Sequence, residues 1–157
     1  MLTPVTFEQE RQAQAFAHIA RTVARLAHKD QLDLGGNLYI EHAQYVGRFE
    51  NYHTAKVVGL LHDVLEVDGW SIKRLTDYGF PEFILERLLL LYRPEGMSYS
   101  EYIQRLAVDE ICRLVKIRDL RHNMRPERLI RFDDAAVARI KKYHRWYLFL
   151  KSYVPEK

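Results

Sequence analysis

Cysteine is almost missing from this chain of 157 residues: Cys112 stands alone, so no internal disulfide can staple the fold. A reducing, cytoplasmic setting is the expectation that follows. Long hydrophobic runs are missing too. The densest apolar cluster, Phe83–Tyr92, is short and broken by Glu86 and Arg87, whereas a membrane span needs roughly 20 apolar residues. Residues Met1–Glu10 carry acids and no apolar stretch, which argues against a signal peptide. Seven glycines and five prolines are too few for a collagen-like or linker-dominated chain. Nor is there much excess charge. A net charge of +3 and an isoelectric point near 9.0 suggest no more than an anionic partner.

What is present is the balance of an ordinary globule, 48% hydrophobic and 29% charged, which excludes wholesale disorder. The length suits one domain, taken as 1–157. Thr6 followed by Gln9 is a capping box, and behind it Ala13, Phe16, Ala17, Ala20, Val23, Ala24 and Ala27 recur at helical spacing. Gly35–Gly36 breaks the chain, and Ile40, Ala43, Val46 and Phe49 form the next apolar stripe. A buried helix is expected over Ala55–Leu65, with Gly69 ending it and Ser71 capping a short successor. Pro81 suits the first turn of another helix running to Tyr92. Ser98 with Glu101 repeats the capping box, Asp109 caps a helix to Met124, and Asp133 or Asp134 opens the last one. No stretch alternates as a strand does. The reading is a single all-α domain.

Four side chains draw chemical interest: His42, the adjacent pair His62-Asp63, and Asp119. Two imidazoles and two carboxylates are a donor set for a divalent metal with mixed nitrogen and oxygen preference. They are scattered over different helices, so spacing alone carries little weight. A buried histidine bonded to backbone explains any one of them as readily. Basic residues thicken from Arg113 to Lys142, including Arg118, Arg121, Arg125, Arg128 and Arg131; as charge alone this reads as a solvated helix face, not a nucleic-acid surface. His18, His28, His53 and His144 show no partner pattern and read as surface or packing residues.

The text around those four residues is more telling. HKDQLDLGGNLYIEH at His28–His42, GLLHDVLE at Gly59–Glu66 and VKIRDLRHNM at Val115–Met124 follow one another in the order found in a known group. The sequence resembles the HD-domain phosphohydrolases, and within them the RelA/SpoT-type alarmone hydrolase domains and their small stand-alone relatives. The likeness covers Ala13 to about Tyr147 and implies a single HD-domain helical bundle. It implies His42, His62, Asp63 and Asp119 as metal ligands, with manganese as the ion. It implies that Glu66, one helical turn past His62, positions and deprotonates the attacking water. Asn123 is implied to touch the nucleotide. Lys116 and His122 either contact substrate or support the site. Tyr143 either holds the nucleotide, as relatives do at that position, or packs as an aromatic; Tyr99 and Tyr102 either line the pocket or fill the core.

The pattern also departs from the family. Glu66 is followed by Val67 where relatives carry a second carboxylate, and Asp68 comes one place later. Asp33-Leu34 stands where relatives that cleave guanosine tetraphosphate hold a basic pair, and Leu38 replaces a proline. The expected function is a metal-dependent phosphohydrolase acting on a nucleotide phosphate or pyrophosphate ester, possible kin of guanosine 3',5'-bis(diphosphate) 3'-pyrophosphohydrolase. Lys116 or Arg125 would balance phosphate charge, and without a synthetase half the chain would only degrade alarmones. The alternative is a catalytically weakened nucleotide- and metal-binding regulatory module. A phosphorylated nucleotide is the expected partner, with no membrane and no nucleic acid.

Overall fold

In the computed structural model, residues 2–129 and 131–153 are described. Among the described residues eight helices follow one another: α1 (Phe7–Ala27), α2 (Tyr39–Val46), α3 (His53–Leu61), α4 (Ile72–Asp77), α5 (Glu82–Leu91), α6 (Tyr99–Ala107), α7 (Glu110–Asn123) and α8 (Asp134–Ser152). Single 3₁₀ turns follow α3 at Val64–Glu66 and α7 at Pro126–Arg128. Among the described residues the nearest thing to a sheet is one antiparallel bridge between Leu32 and Leu38. The fold is an all-α bundle. None of its helices is long and apolar enough to cross a membrane, among the described residues.

The caps behave as their residue types dictate. Thr6 and Ser98 each sit in a reciprocal box with Gln9 and Glu101. Ser71, Asp109 and Asp133 accept from backbone amides in the first turns of α4, α7 and α8. Helix α3 has no such cap of its own at Tyr52. Glu10 of α1 supplies it instead, its carboxylate accepting from the amides of His53 at 2.7 Å and Thr54 at 3.3 Å.

Helix α3 is the axis of the core. Seven of its nine residues are buried, and it packs against α1, α2, α5 and α7. The small face of α1 (Ala13, Ala20, Ala24, Ala27) lets α1 and α3 pack closely. The approach of α2 to α3 is close as well. A Cβ placed on Gly59 would lie 2.8 Å from the carbonyl oxygen of Val46 and 2.9 Å from Cα of Gly47. Backbone therefore touches backbone at this crossing, and only glycine fits. That contact sets the distance between the helix bearing His42 and the helix ending at His62.

Helix α3 stops earlier than its apolar sequence suggests. The expected Ala55–Leu65 helix ends at Leu61. Nδ1 of His62 sits 2.8 Å from the carbonyl of Gly59, which a continuing helix would give to the amide of Asp63. The chain then turns through Val64–Glu66, and Val67 is extended at φ −96°, ψ 130°. Glu66 thus lies on a 3₁₀ turn and not one α-turn along the helix from His62. Asp68 likewise does not follow Val67 around a helix.

Candidate metal centre

His42 comes from the middle of α2, His62 from the end of α3, and Asp119 from α7. All three are buried, and they offer ligand atoms within 4.8 Å of one another. Nε2 of His42 lies 3.2 Å from Nε2 of His62 and 3.2 Å from Oδ1 of Asp119. Nε2 of His62 is 3.8 Å from the same oxygen. Two donors about 2.2 Å from one ion and at right angles to each other are about 3.1 Å apart, so this spacing suits a first-row octahedral centre. The chemistry of the donor set points the same way. With Nδ1 of His62 against a carbonyl, that nitrogen carries one proton and Nε2 is the atom turned inward, where a bound cation would displace any proton it holds. Two imidazole nitrogens and a carboxylate facing one point are short of a cation, and a divalent metal fits there.

Asp63 flanks this trio. Its Oδ2 is 2.9 Å from Nε2 of His62 and 3.6 Å from Nε2 of His42, and it accepts from the Tyr39 hydroxyl at 2.5 Å. The fourth expected ligand is therefore at the site but already engaged by Tyr39. Asp119 is braced on both oxygens: Lys116 donates to Oδ2 at 2.6 Å and the amide of Asn123 donates to Oδ1. Of the two roles open to Lys116, the geometry displays support of Asp119.

Burial and charge compete at each of these groups. Burial alone would raise Asp119, but Lys116 and then His42 hold its carboxyl below the usual range. Burial likewise opposes ionisation of Asp63, yet His62 and His42 hold it well below normal. Burial would lower His62, but Asp63 and Asp119 outweigh it and raise the imidazole to about 9 in the metal-free site. His122 goes the other way, pushed down to about 3 by burial, His42 and Arg128. Glu66 is raised by partial desolvation and by the charge of Asp63.

A cleft of about 340 Å³ opens beside the trio, lined in part by Tyr39 and Asn123, which touch His42 and Asp119. Its other walls include Asp33, Arg128 and Arg139, and Tyr143, which also packs on the core. Tyr143 thus lines the cleft and packs on the core at once. Tyr102 belongs to the core, its hydroxyl donating to the carbonyl of Leu91 at 2.7 Å, and Tyr99 packs against Trp146. Arg125, expected to balance phosphate charge, lies exposed over the ring of Tyr45, outside the lining of this cleft. The cleft's cations are Arg128 and Arg139, which the sequence offered only as members of a basic run. His28, read as surface or packing, is buried against Tyr39 with Nδ1 on Gln31; its Nε2 has no partner among the described residues.

Comparison with known proteins adds three findings. No family model matches the chain. Over 120 residues it is 29% identical to a probable GTP pyrophosphokinase of Mycobacterium leprae (strain TN), covering 69% of this chain. It spans only about 15% of that protein's length. Its structure superposes on that of a metazoan ortholog of SpoT that hydrolyzes ppGpp and plays a role in starvation responses. The TM-score is 0.70 at 15% identity, over 88% of this chain and 86% of the other. The bundle has the fold of an HD domain. Within that class its resemblance, in sequence motifs and in architecture, is to the RelA/SpoT-like hydrolase domain.

Proposed function

We propose that this protein is a metal-dependent phosphohydrolase that cleaves a phosphate or pyrophosphate ester of a nucleotide, as guanosine 3',5'-bis(diphosphate) 3'-pyrophosphohydrolases do, with Mn²⁺ as its ion. The observation that carries the reading is the convergence of His42, His62 and Asp119 beside a cleft holding Arg128 and Arg139. His42, His62 and Asp119 would hold the ion, with Asp63 next to them. When bound, it would polarise a phosphoryl oxygen and acidify a water. Glu66 takes the proton of the attacking water, a task its raised pKa favours. Arg128 and Arg139 offset the charge of the phosphates, and Tyr143 gives a flat ring to the nucleoside. Asn123, lying between Asp119 and the cleft, orients the ester next to the ligand it braces. A cytoplasmic location completes the reading.

The test is a nucleotide panel, guanosine tetraphosphate and NADPH among its members, incubated with Mn²⁺ and assayed for released phosphate and pyrophosphate. Release from a nucleotide that stops on adding EDTA supports the proposal. A rate untouched by EDTA overturns the metal's part in it. One observation favours a second reading: Val67, with no carboxylate, follows Glu66 on extended backbone. Tight nucleotide binding with no turnover across the panel would favour a regulatory module that keeps the site and has lost the reaction.

A further inference from the structure

His122 has no ligand atom in the trio, yet it touches the site through His42. Its ring stacks on Tyr45, centroids 4.3 Å apart and planes 26° from parallel, and is buried. On its edge, Nδ1 faces two groups. Nδ1 of His42 lies at 2.8 Å and Nη1 of Arg128 at 3.2 Å. Arg128 is itself anchored, with Nη1 3.3 Å from Oδ2 of Asp33. Asp33 is fixed in turn, because its Oδ1 accepts from the amides of Gly35 and Asn37 at 2.9 Å each.

The directions of these hydrogen bonds follow from chemistry. A guanidinium can only donate. Nδ1 of His122 must then accept, so it carries no proton. The other group on that nitrogen, Nδ1 of His42, must therefore be a donor and does carry its proton. A neutral imidazole protonated at Nδ1 has its lone pair on Nε2. Nε2 is the atom of His42 that faces His62 and Asp119.

We propose that His122 and Arg128 are positioning residues that lock His42 in its metal-binding tautomer, with Asp33 holding Arg128 in place for the task. The inference rests on the proposed metal site but concerns a separate relationship. It also gives Asp33 a role. The acid that stands where relatives have basic residues is one end of a relay, Asp33–Arg128–His122–His42, running from the cleft wall to the trio. Partners that fix the tautomer of a metal-binding histidine typically govern 10–100-fold in metal affinity.

The experiment compares Mn²⁺ affinity, by titration calorimetry on the full chain, for wild type, His122→Phe, His122→Asn and Arg128→Leu. Phenylalanine keeps the stack on Tyr45 but cannot accept; asparagine offers an oxygen acceptor near the old Nδ1. The expected result is 10–100-fold weaker binding for His122→Phe, substantial recovery for His122→Asn, and intermediate loss for Arg128→Leu. Circular dichroism identifies any variant that fails to fold. In parallel, nitrogen-15 correlation spectra of the metal-free wild type report the His42 tautomer directly, without need of variants or metal. The proton on Nδ1 is expected. A proton on Nε2 overturns the proposal, as does unchanged Mn²⁺ affinity in folded His122→Phe. Wild type that binds no Mn²⁺ defeats the metal reading instead, and the spectra still decide the tautomer.

Discussion

Arg87 and Asp109 meet at 3.0 Å inside the bundle, both side chains almost wholly removed from water. Nη1 of Arg87 also donates to the carbonyl of Phe83 and Nη2 to that of Thr3, while Oδ1 of Asp109 caps α7 through the amide of Cys112. Removing one partner of a buried pair leaves the other charge stranded, which costs about 3–5 kcal/mol. Asp109→Ala should lose that and the cap as well, at about 1 kcal/mol more. Urea unfolding checks it. A loss under 1 kcal/mol would mean that water reaches Arg87 once the acid is gone.

Gly59→Ala sets two effects against each other. Alanine favours a helix by about 1 kcal/mol over glycine. Its Cβ would sit 2.8 Å from a backbone oxygen of α2, and overpacking costs about 1–3 kcal/mol. Net destabilisation is expected, together with weaker metal binding, because α2 must retreat from α3 and carry His42 away from His62. Stability measured by denaturant and Mn²⁺ affinity by calorimetry should fall together. A more stable variant with unchanged affinity would show that the crossing yields without cost.

The metal-free protein should lose stability as pH rises from about 6.5 to about 9. His62 is raised to about 9 in the folded chain, so folding favours its proton. The stabilisation is complete below the unfolded value of about 6.5 and is gone above the folded one. Over the same window the apparent affinity for Mn²⁺ should increase, because binding displaces that proton. Unfolding midpoints in EDTA and calorimetric affinities, each at several pH values, test the two slopes. Flat profiles would show that His62 is neutral throughout.

Glu66→Ala should abolish turnover with the metal still bound, since general acid–base help is worth about 10²–10⁴-fold. Val67→Asp tests the vacancy next to it. A carboxylate restored there would point as it does in relatives only on a continuing helix end, whereas Val67 lies on extended backbone after a 3₁₀ turn. Modest gain or none is the outcome that this geometry supports. Asp68, exposed and beyond that turn, should tolerate Asn with little change in rate. Steady-state kinetics with bound metal verified separately would check all three, and activity lost in Asp68→Asn would mean that Asp68 has taken the missing role.

Much of the fold was legible because its signals are local. Thr6, Ser71, Ser98, Asp109 and Asp133 cap where short polar side chains before apolar periodicity say they should. What the sequence concealed is tertiary. Glu10 caps a helix more than forty residues away, and His62 ends α3 by taking a carbonyl from within an unbroken apolar run. The trio of His42, His62 and Asp119 was visible through motif order. Arg128 and Arg139 were not, because nothing in a run of basic residues says which of them will face a cleft. Tyr39 read as part of a motif, and its bond to Asp63 appears only once α2 lies beside the end of α3.

The trio draws one residue from each of three segments that are far apart along the chain. Any ion bound there would also be a cross-link, tying positions 42, 62 and 119 into closed loops that the unfolded chain lacks. Binding energy then becomes folding energy, growing with the logarithm of free metal concentration. Metal supply would set not only whether the protein works but how long it survives, since the unloaded chain opens more often to proteases.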